Sequence, residues 1–337
     1  MKTLIFGAGP LGSLYACLLH RSGKDVTLLA RNKHYDYLKE NGVVLFNEFT
    51  KEKIVERVKI IDSIEPEDDY DLVIVLMRKN YVIETLPILS ANRNITSFLF
   101  MNNNAQGFDD YLKFFPKEKV LFGFPGGGGS RQKHMVHYVD TEKPNGKRLP
   151  ITIGEIDGKT RERTKKIRNM FESSEVPVRL VDDIDSWLRY HVAFVHPIAG
   201  ALLKSEDNYQ LAKDKETIRT YIRAVKEGGR VLKALGFKKS FNPKFRLFYW
   251  FPETILIRIL SRLFNSHFAE VAMMMHVNAA KDEMIELGNE FKALARQTRL
   301  PTPNIDELFS YISQTKSVQN EKSIGSRSHR IPGSLPG

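Results

Sequence analysis

The stretch Lys2–Leu19, KTLIFGAGPLGSLYACLL, decides the fold of the amino-terminal half. Lys2 to Phe6 is a short, mostly apolar run. The turn Gly7-Ala8-Gly9-Pro10-Leu11-Gly12 follows at once, and Leu11 to Leu19 then place apolar residues at helical spacing. A strand, a glycine turn and a helix in that order are the opening of a dinucleotide-binding unit. Gly7 permits the tight turn, Gly9 lets backbone approach a pyrophosphate, and Gly12 lets the helix lie close to the sheet. The helix start offers unpaired N–H groups and a partial positive charge to phosphates.

Outward from this turn the pattern repeats. Asp25 to Ala30 (DVTLLA) reads as a second strand and Asp71 to Met77 (DLVIVLM) as a later one, with Ser97 to Met101 and Val120 to Phe124 continuing the series. Apolar strands separated by helical segments predict a parallel sheet covered on both faces. Met135 to Ile153 reads as extended structure with a loop at Glu142 to Arg148, Arg161 to Glu172 as a helix, and Val176 to Leu180 as the last strand. Beyond Ile184 the strand-like runs cease and helical patterns take over: Trp187 to Leu203, Thr217 to Leu235, Pro252 to Phe264 and Phe268 to Arg296. The expected architecture is an N-terminal Rossmann-type doubly wound α/β domain over residues 1–184, followed by an all-α domain over 185–316. Residues 317–337, basic and poor in apolar side chains, are expected to carry no stable structure.

The residue after the second strand selects the nucleotide. A carboxylate there holds the ribose hydroxyl of NAD and repels a 2′-phosphate; here Arg31 is followed by Asn32 and Lys33. Arginine can grip a 2′-phosphate with paired charge-assisted hydrogen bonds, so NADP is the expected cofactor.

The bulk properties set the outer limits. At 337 residues, 42% hydrophobic and 27% charged, the chain suits two ordinary globular domains. A net charge of +11 favours anionic ligands. No aromatic-basic recognition motif accompanies it, so nucleic acid is not an expected partner. Cys17, the single cysteine, excludes an internal disulfide and reads as a small buried residue. A glycine turn breaks the first apolar run, which predicts no signal peptide and a cytoplasmic protein. Phe245 to Phe264 is interrupted by Arg246, Glu253, Arg258 and Arg262 and is too polar to span a bilayer. Its spacing predicts a core-facing helix, with Ile255, Leu256, Ile259, Leu260, Leu263 and Phe264 inward and Arg258 and Arg262 outward. A basic amphipathic helix on a membrane surface is the sharper alternative. His134, His137, Asp140 and Glu155 match no metal-ligand spacing, and no metal is expected. The glycines at Gly126 to Gly129 allow unusual backbone angles and close approach to a ligand, with a flexible loop as the other reading.

Taken in order, GAGPLGSLYACLL, the RN after the second strand, LVIVLMRKNY at Leu72–Tyr81, NNNAQG at Asn102–Gly107, WLRYHVAFVHPIAGAL from Trp187 and AKDEMIELGNEF before LPTPN resemble the ketopantoate reductase (2-dehydropantoate 2-reductase) family. The resemblance extends to about Asn304. It implies hydride transfer between NADPH and the ketone of a 2-oxo acid, and a cofactor held by Gly7, Ala8, Gly9, Pro10, Leu11, Gly12, Arg31, Arg78 and Asn104. It also implies an active-site role for Asn104 and a substrate-binding role for Glu283, with Arg78 standing where the family has a lysine and Lys79 one residue later. For Gly126 to Gly129 it implies a loop beside the active site.

One expected piece is missing. The family's proton-donating lysine falls on Arg189 when counted from Trp187 and on Leu188 when counted back from Pro197. Arginine holds its proton too tightly to serve and leucine has none. The developing alkoxide still needs a donor, and His196 and His191 are the histidines of this segment, His196 standing in place of a family asparagine. The expected activity is therefore NADPH-dependent reduction of a 2-oxo acid other than, or broader than, ketopantoate. The loss of pocket polarity and Met273 to Met275 point to a less polar substrate. A non-catalytic NADP-binding sensor and a relative of the opine or sugar-acid dehydrogenases are the alternatives. A homodimer is compatible with the sequence.

Overall fold

The computed structural model describes residues 1–237 and 243–325. Its first half contains, in order, β1 (Thr3–Phe6), α1 (Pro10–Arg21), β2 (Val26–Leu29), α2 (Asn32–Asn41), β3 (Val43–Asn47), β4 (Lys53–Glu56), β5 (Lys59–Ile61), β6 (Leu72–Val75), α3 (Lys79–Ala91), β7 (Ser97–Met101), α4 (Asp109–Leu112), β8 (Val120–Phe124), β9 (Gly128–Gln132), β10 (Met135–Val139), β11 (Ile151–Glu155), α5 (Glu162–Glu172) and β12 (Val178–Leu180).

Eight strands form one sheet in the order β12-β11-β8-β7-β6-β1-β2-β5. All neighbours are parallel except β8 and β11. The central strands are buried on both faces, which is why they read as continuous apolar runs. Ile5, Leu28, Ile74 and Leu99 join the core on one face, whereas Leu4, Phe6, Val75 and Phe100 join the core on the other.

A second sheet, ordered β4-β3-β10-β9, is absent from the sequence reading. Its β3 pairs in parallel with β10, far along the chain, and no local pattern announces such a pairing. Gly128 and Gly129, expected in a loop, lie in β9. A Cβ on Gly128 would meet Ala272 Cα at 2.6 Å, so this glycine lets the strand pack against the helical half.

Among the described residues no strand follows Leu180. The helices are α6 (Ile184–Lys204), α7 (Asn208–Lys213), α8 (Lys215–Ala234), α9 (Pro243–Trp250), α10 (Glu253–Phe264), α11 (His267–Ala269), a π-helical turn at Glu270–Met274, α12 (Met275–Ala279), α13 (Lys281–Thr298) and α14 (Pro303–Gly325). The chain turns into α6 through Asp183, whose carboxylate caps Ser186 N. The long helix expected over Phe268 to Arg296 is broken by the π-helical turn and again at Ala280 (φ −129°, ψ 38°), which leaves the helical region. Backbone of 317–325, expected without structure, continues α14 by propagation of its helical hydrogen bonds; residues 326–337 lie outside the described residues.

The reading of α10 needs correction. Leu256, Ile257, Leu260 and Phe264 face the core. Ile255 and Ile259 are exposed on the stripe that carries Arg258 and Arg262. The apolar residues exceed what one core-facing stripe can hold, so two of them turn outward. No described helix is long and apolar enough to cross a membrane.

Candidate active site

The turn after β1 is shaped by contact on one side and left open on the other. Gly7 sits at φ +121°, and a Cβ there would lie 2.5 Å from Leu76 O. A Cβ on Gly12 would collide with the carbonyl of Gly7. Around Gly9, by contrast, a Cβ would find nothing within 4 Å. Pro10 opens α1, no side chain caps that helix, and no acidic residue stands in its first turn. The turn thus presents bare backbone and a positive helix end to open space, the form a pyrophosphate fits.

Cations surround this opening. Arg31, exposed at the end of β2, holds its guanidinium 5.4 Å from the ring centre of Phe6. From the second sheet, Arg131 on β9 donates to Ala8 O at 3.1 Å. Partial burial and the nearby charge of Arg78 pull its pKa down. His34 lies 3.2 Å from His134, and burial, followed by Arg131 and His134, pushes its pKa down to about 4. Arg131 was missed because it stands 123 residues from the turn it reaches.

The second part of the site lies where β6 and β7 end. The chain leaves β6 into Arg78 and Lys79 and leaves β7 into Asn102-Asn103-Asn104, so neighbouring parallel strands deliver both segments to one edge. The break at Ala280 starts α13 across from them. Asp282 receives Arg78 at 3.2 Å, Asn80 at 2.8 Å and Tyr81 at 3.0 Å. Burial alone would raise the Asp282 pKa, but the Asn80 and Tyr81 hydrogen bonds offset this and hold it below the ordinary value. Glu283 accepts from Lys79 N and from Asn103 Nδ2, each at 3.3 Å. His276 Nε2 lies 3.8 Å from the other Glu283 oxygen. Burial lowers the His276 pKa and Glu283 opposes that.

Lys79 is only 3% exposed. Its Nζ donates to Asn104 Oδ1 at 3.1 Å, stands 3.5 Å from Glu290 Oε1 and lies over the Tyr111 ring. Glu290 also accepts from Ala105 N at 3.0 Å, and burial raises its pKa against the pull of Lys79. Asn104 is itself locked: Oδ1 accepts from Gln106 N and Gly107 N while Nδ2 donates to Gly107 O. Asn104, Glu283 and Arg78 are therefore brought to one place, joined by Lys79, Asp282 and His276. The clue to Lys79 was its position beside Arg78. For Asp282 and His276 the sequence offered only nearness to Glu283.

The two expected histidines both sit on α6. His196 is 1% exposed in the helical core, its Nδ1 2.8 Å from Val192 O and its ring stacked on Phe291. Burial pushes its pKa down to about 4, so near neutrality the ring is uncharged. His191 stacks on Trp187 and meets the Phe124 ring at a tilt. Arg189 pairs with Asp185 at 2.9 Å and donates to the carbonyl of Ala105, holding the turn that carries Asn104. Leu188 is buried. Met273 and Met274 pack against the helical core, and Met273 and Met275 against Val139, Phe268 and Val271.

Known proteins share this fold. Residues 3–149 match the family model described as ketopantoate reductase PanE/ApbA. A 2-dehydropantoate 2-reductase of Pyrococcus abyssi is 28% identical over 72% of this chain and 77% of its own length. One of Aquifex aeolicus is 24% identical over 96% and 99%. Among solved structures, D-mandelate dehydrogenase with NADH and anilino(oxo)acetate superposes with a TM-score of 0.77 at 17% identity, covering 95% of this chain and 99% of that one. The 2-dehydropantoate 2-reductase of Geobacter metallireducens gives 0.76 at 19% identity, covering 94% and 100%. With the glycine turn, the Asn104 segment and the helical half in one connected fold, the chain is similar to the ketopantoate reductases, and its residues 3–149 belong to that family of oxidoreductases.

Proposed function

We propose that this chain is an NADPH-dependent reductase of 2-oxo acids in which Lys79 replaces the family's proton-donating lysine. The carrying observation is the 3.1 Å contact between Lys79 Nζ and Asn104 Oδ1, which sets an ammonium group beside the asparagine expected at the reacting centre. Bound at the glycine turn, a nicotinamide nucleotide supplies the hydride. Open space before Gly9 and the flanking Arg31 and Arg131 favour a dinucleotide there, and Arg31 favours the 2′-phosphate form. A structural relative carries NADH together with an oxoacetate, which supports the 2-oxo acid class; the preference for NADPH rests on Arg31 alone.

The side chains divide the remaining work. Arg78, half-buried at the edge of the cleft, offers a guanidinium to a substrate carboxylate, with Asp282 fixing its direction. Lys79 Nζ stabilises the developing alkoxide and gives it a proton. Glu290, whose raised pKa lets it carry a proton at higher pH than an exposed carboxylate, is placed to return one to the neutral amine. Glu283, tied to Lys79 N and Asn103, positions the two segments and faces the substrate side with His276.

The test is NADPH oxidation against a panel of 2-oxo acids differing in side-chain size and polarity, with ketopantoate included. Turnover on at least one, with NADPH preferred over NADH, is the expected result. Tight NADPH binding without turnover on any acid would shift the reading to an NADP-responsive sensor.

A further inference from the structure

The helical half carries a surface that its own fold leaves uncovered. Trp250 at the end of α9 is 64% exposed, and Tyr249, Phe251, Ile255 and Ile259 stand out beside it. Ile255 and Ile259 lie four residues apart, as do Arg258 and Arg262, and each isoleucine stands three residues before an arginine, so apolar and cationic side chains share one exposed stripe of α10. Arg246 lies over the Trp250 ring at 4.2 Å. From Phe245 to Phe264 three arginines face one acid, Glu253, which is engaged by Arg223 at 3.3 Å and Arg219 at 3.8 Å. Among the described residues no ion pair joins Arg258 or Arg262. A hollow beside Tyr249 is lined by two more cations, Arg230 and Lys233.

We propose that this face docks on an anionic lipid surface, with Trp250, Phe251, Ile255 and Ile259 entering the headgroup boundary and Arg246, Arg258 and Arg262 meeting lipid phosphates. The chemistry matches on both counts. Tryptophan and phenylalanine prefer the interface between water and hydrocarbon, and arginines in the same plane are drawn to anionic headgroups. A second copy of the chain fits less well. A two-fold contact through this stripe would place Arg258 and Arg262 against their own counterparts, and the centres of protein interfaces are depleted in charge. The surface lies on α9 and α10, apart from the side chains of the candidate active site, so the proposal stands whether or not the substrate reading holds.

The full chain should be tested by co-sedimentation with phosphatidylcholine vesicles, with and without phosphatidylglycerol, over a range of salt. Trp250 is one of only two tryptophans, and the other, Trp187, is buried, so emission reports the contact directly. The expected result is pelleting with anionic vesicles only, weakening as salt rises, with a blue shift of emission and its quenching by brominated lipid. Combined Arg258→Glu and Arg262→Glu should cut vesicle binding at least tenfold and leave NADPH affinity unchanged. Because the quenching is read on unaltered protein, it keeps the test decisive even where a variant folds poorly. The proposal is overturned by no pelleting, by equal pelleting with neutral vesicles, or by binding that survives both substitutions. A dimer in sedimentation velocity that these substitutions dissociate would likewise replace the lipid with a second copy.

Discussion

Lys79 Nζ and Asn104 Oδ1 lie 3.1 Å apart, linking the first turn of α3 to the segment after β7. A lysine is thereby present at the asparagine even though neither place where the family's lysine is expected, Leu188 or Arg189, holds one. The arginine in turn secures the backbone of the asparagine's own turn through Ala105. Lys79→Met should lower kcat by about a hundredfold or more, in the range of a lost general acid, with the NADPH dissociation constant changing less than about threefold. Lys79→Arg, charged but unable to release its proton, should not restore turnover. Full turnover by Lys79→Met with loss in His276→Gln would transfer the role to His276.

The glycine turn separates folding from binding. At Gly9 a methyl group enters open space, and the backbone there is extended (φ −75°, ψ −179°), so Gly9→Ala should melt within about 2 °C of the parent. It should nevertheless weaken NADPH binding about tenfold or more, because the methyl occupies the approach to the pyrophosphate. Gly12→Ala would press into the Gly7 carbonyl and should lose stability as well. Thermal melts and calorimetric titration of both variants check the pair, and equal nucleotide affinity in Gly9→Ala would refute the assignment.

Arg31 and Arg131 should differ in what they recognise. Arg31→Asp is expected to raise KM for NADPH roughly ten- to hundredfold, the worth of a charge-assisted hydrogen bond, and to change KM for NADH far less. Arg131→Ala, acting at Ala8, should weaken both nucleotides alike. Steady-state kinetics with the two cofactors distinguishes the effects.

His196 should prove a core residue. His196→Leu is expected to keep kcat within about threefold of the parent, which a general acid would not allow. Its buried ring, with a pKa near 4 against 6.5 for the free side chain, stays neutral where the unfolded chain takes up a proton. Stability from this site is therefore complete above about pH 6.5 and is lost as pH falls toward 4. The leucine variant should lose less of its melting temperature than the parent between pH 7.5 and about 4.5.

Glu48 ties the second sheet to α11. Burial would raise its pKa, but hydrogen bonds from His137, Lys51 and His267 outweigh that and hold it at about 2. A carboxyl depressed from 4.5 contributes stability that is fully present above about pH 4.5 and disappears as pH falls toward 2. In urea melts Glu48→Gln should be less stable than the parent at pH 6, and the gap should narrow by pH 3. A constant gap would show that the charge contributes nothing.

The sequence by itself exposed the run of strands along the chain around the glycine turn, the place where strands give way to helices, the resemblance to the ketopantoate reductases, and the electropositive turn with Arg31 beside it. These are local properties. Apolar runs, helical spacing and a glycine turn act over a few residues, so a single pass along the chain exposes them. Tertiary structure alone decided which side chains share a site. Arg131 reaches Ala8 from a second sheet, Lys79 meets Asn104 from the first turn of α3, and a break at Ala280 sets Asp282 and Glu283 against α3. His196, next to a proline in a well-matched segment, is turned into the core by the helix that carries it. The reason is the same throughout. Proximity across long stretches of chain arises from packing, and burial then sets both the direction of a side chain and whether it holds its proton.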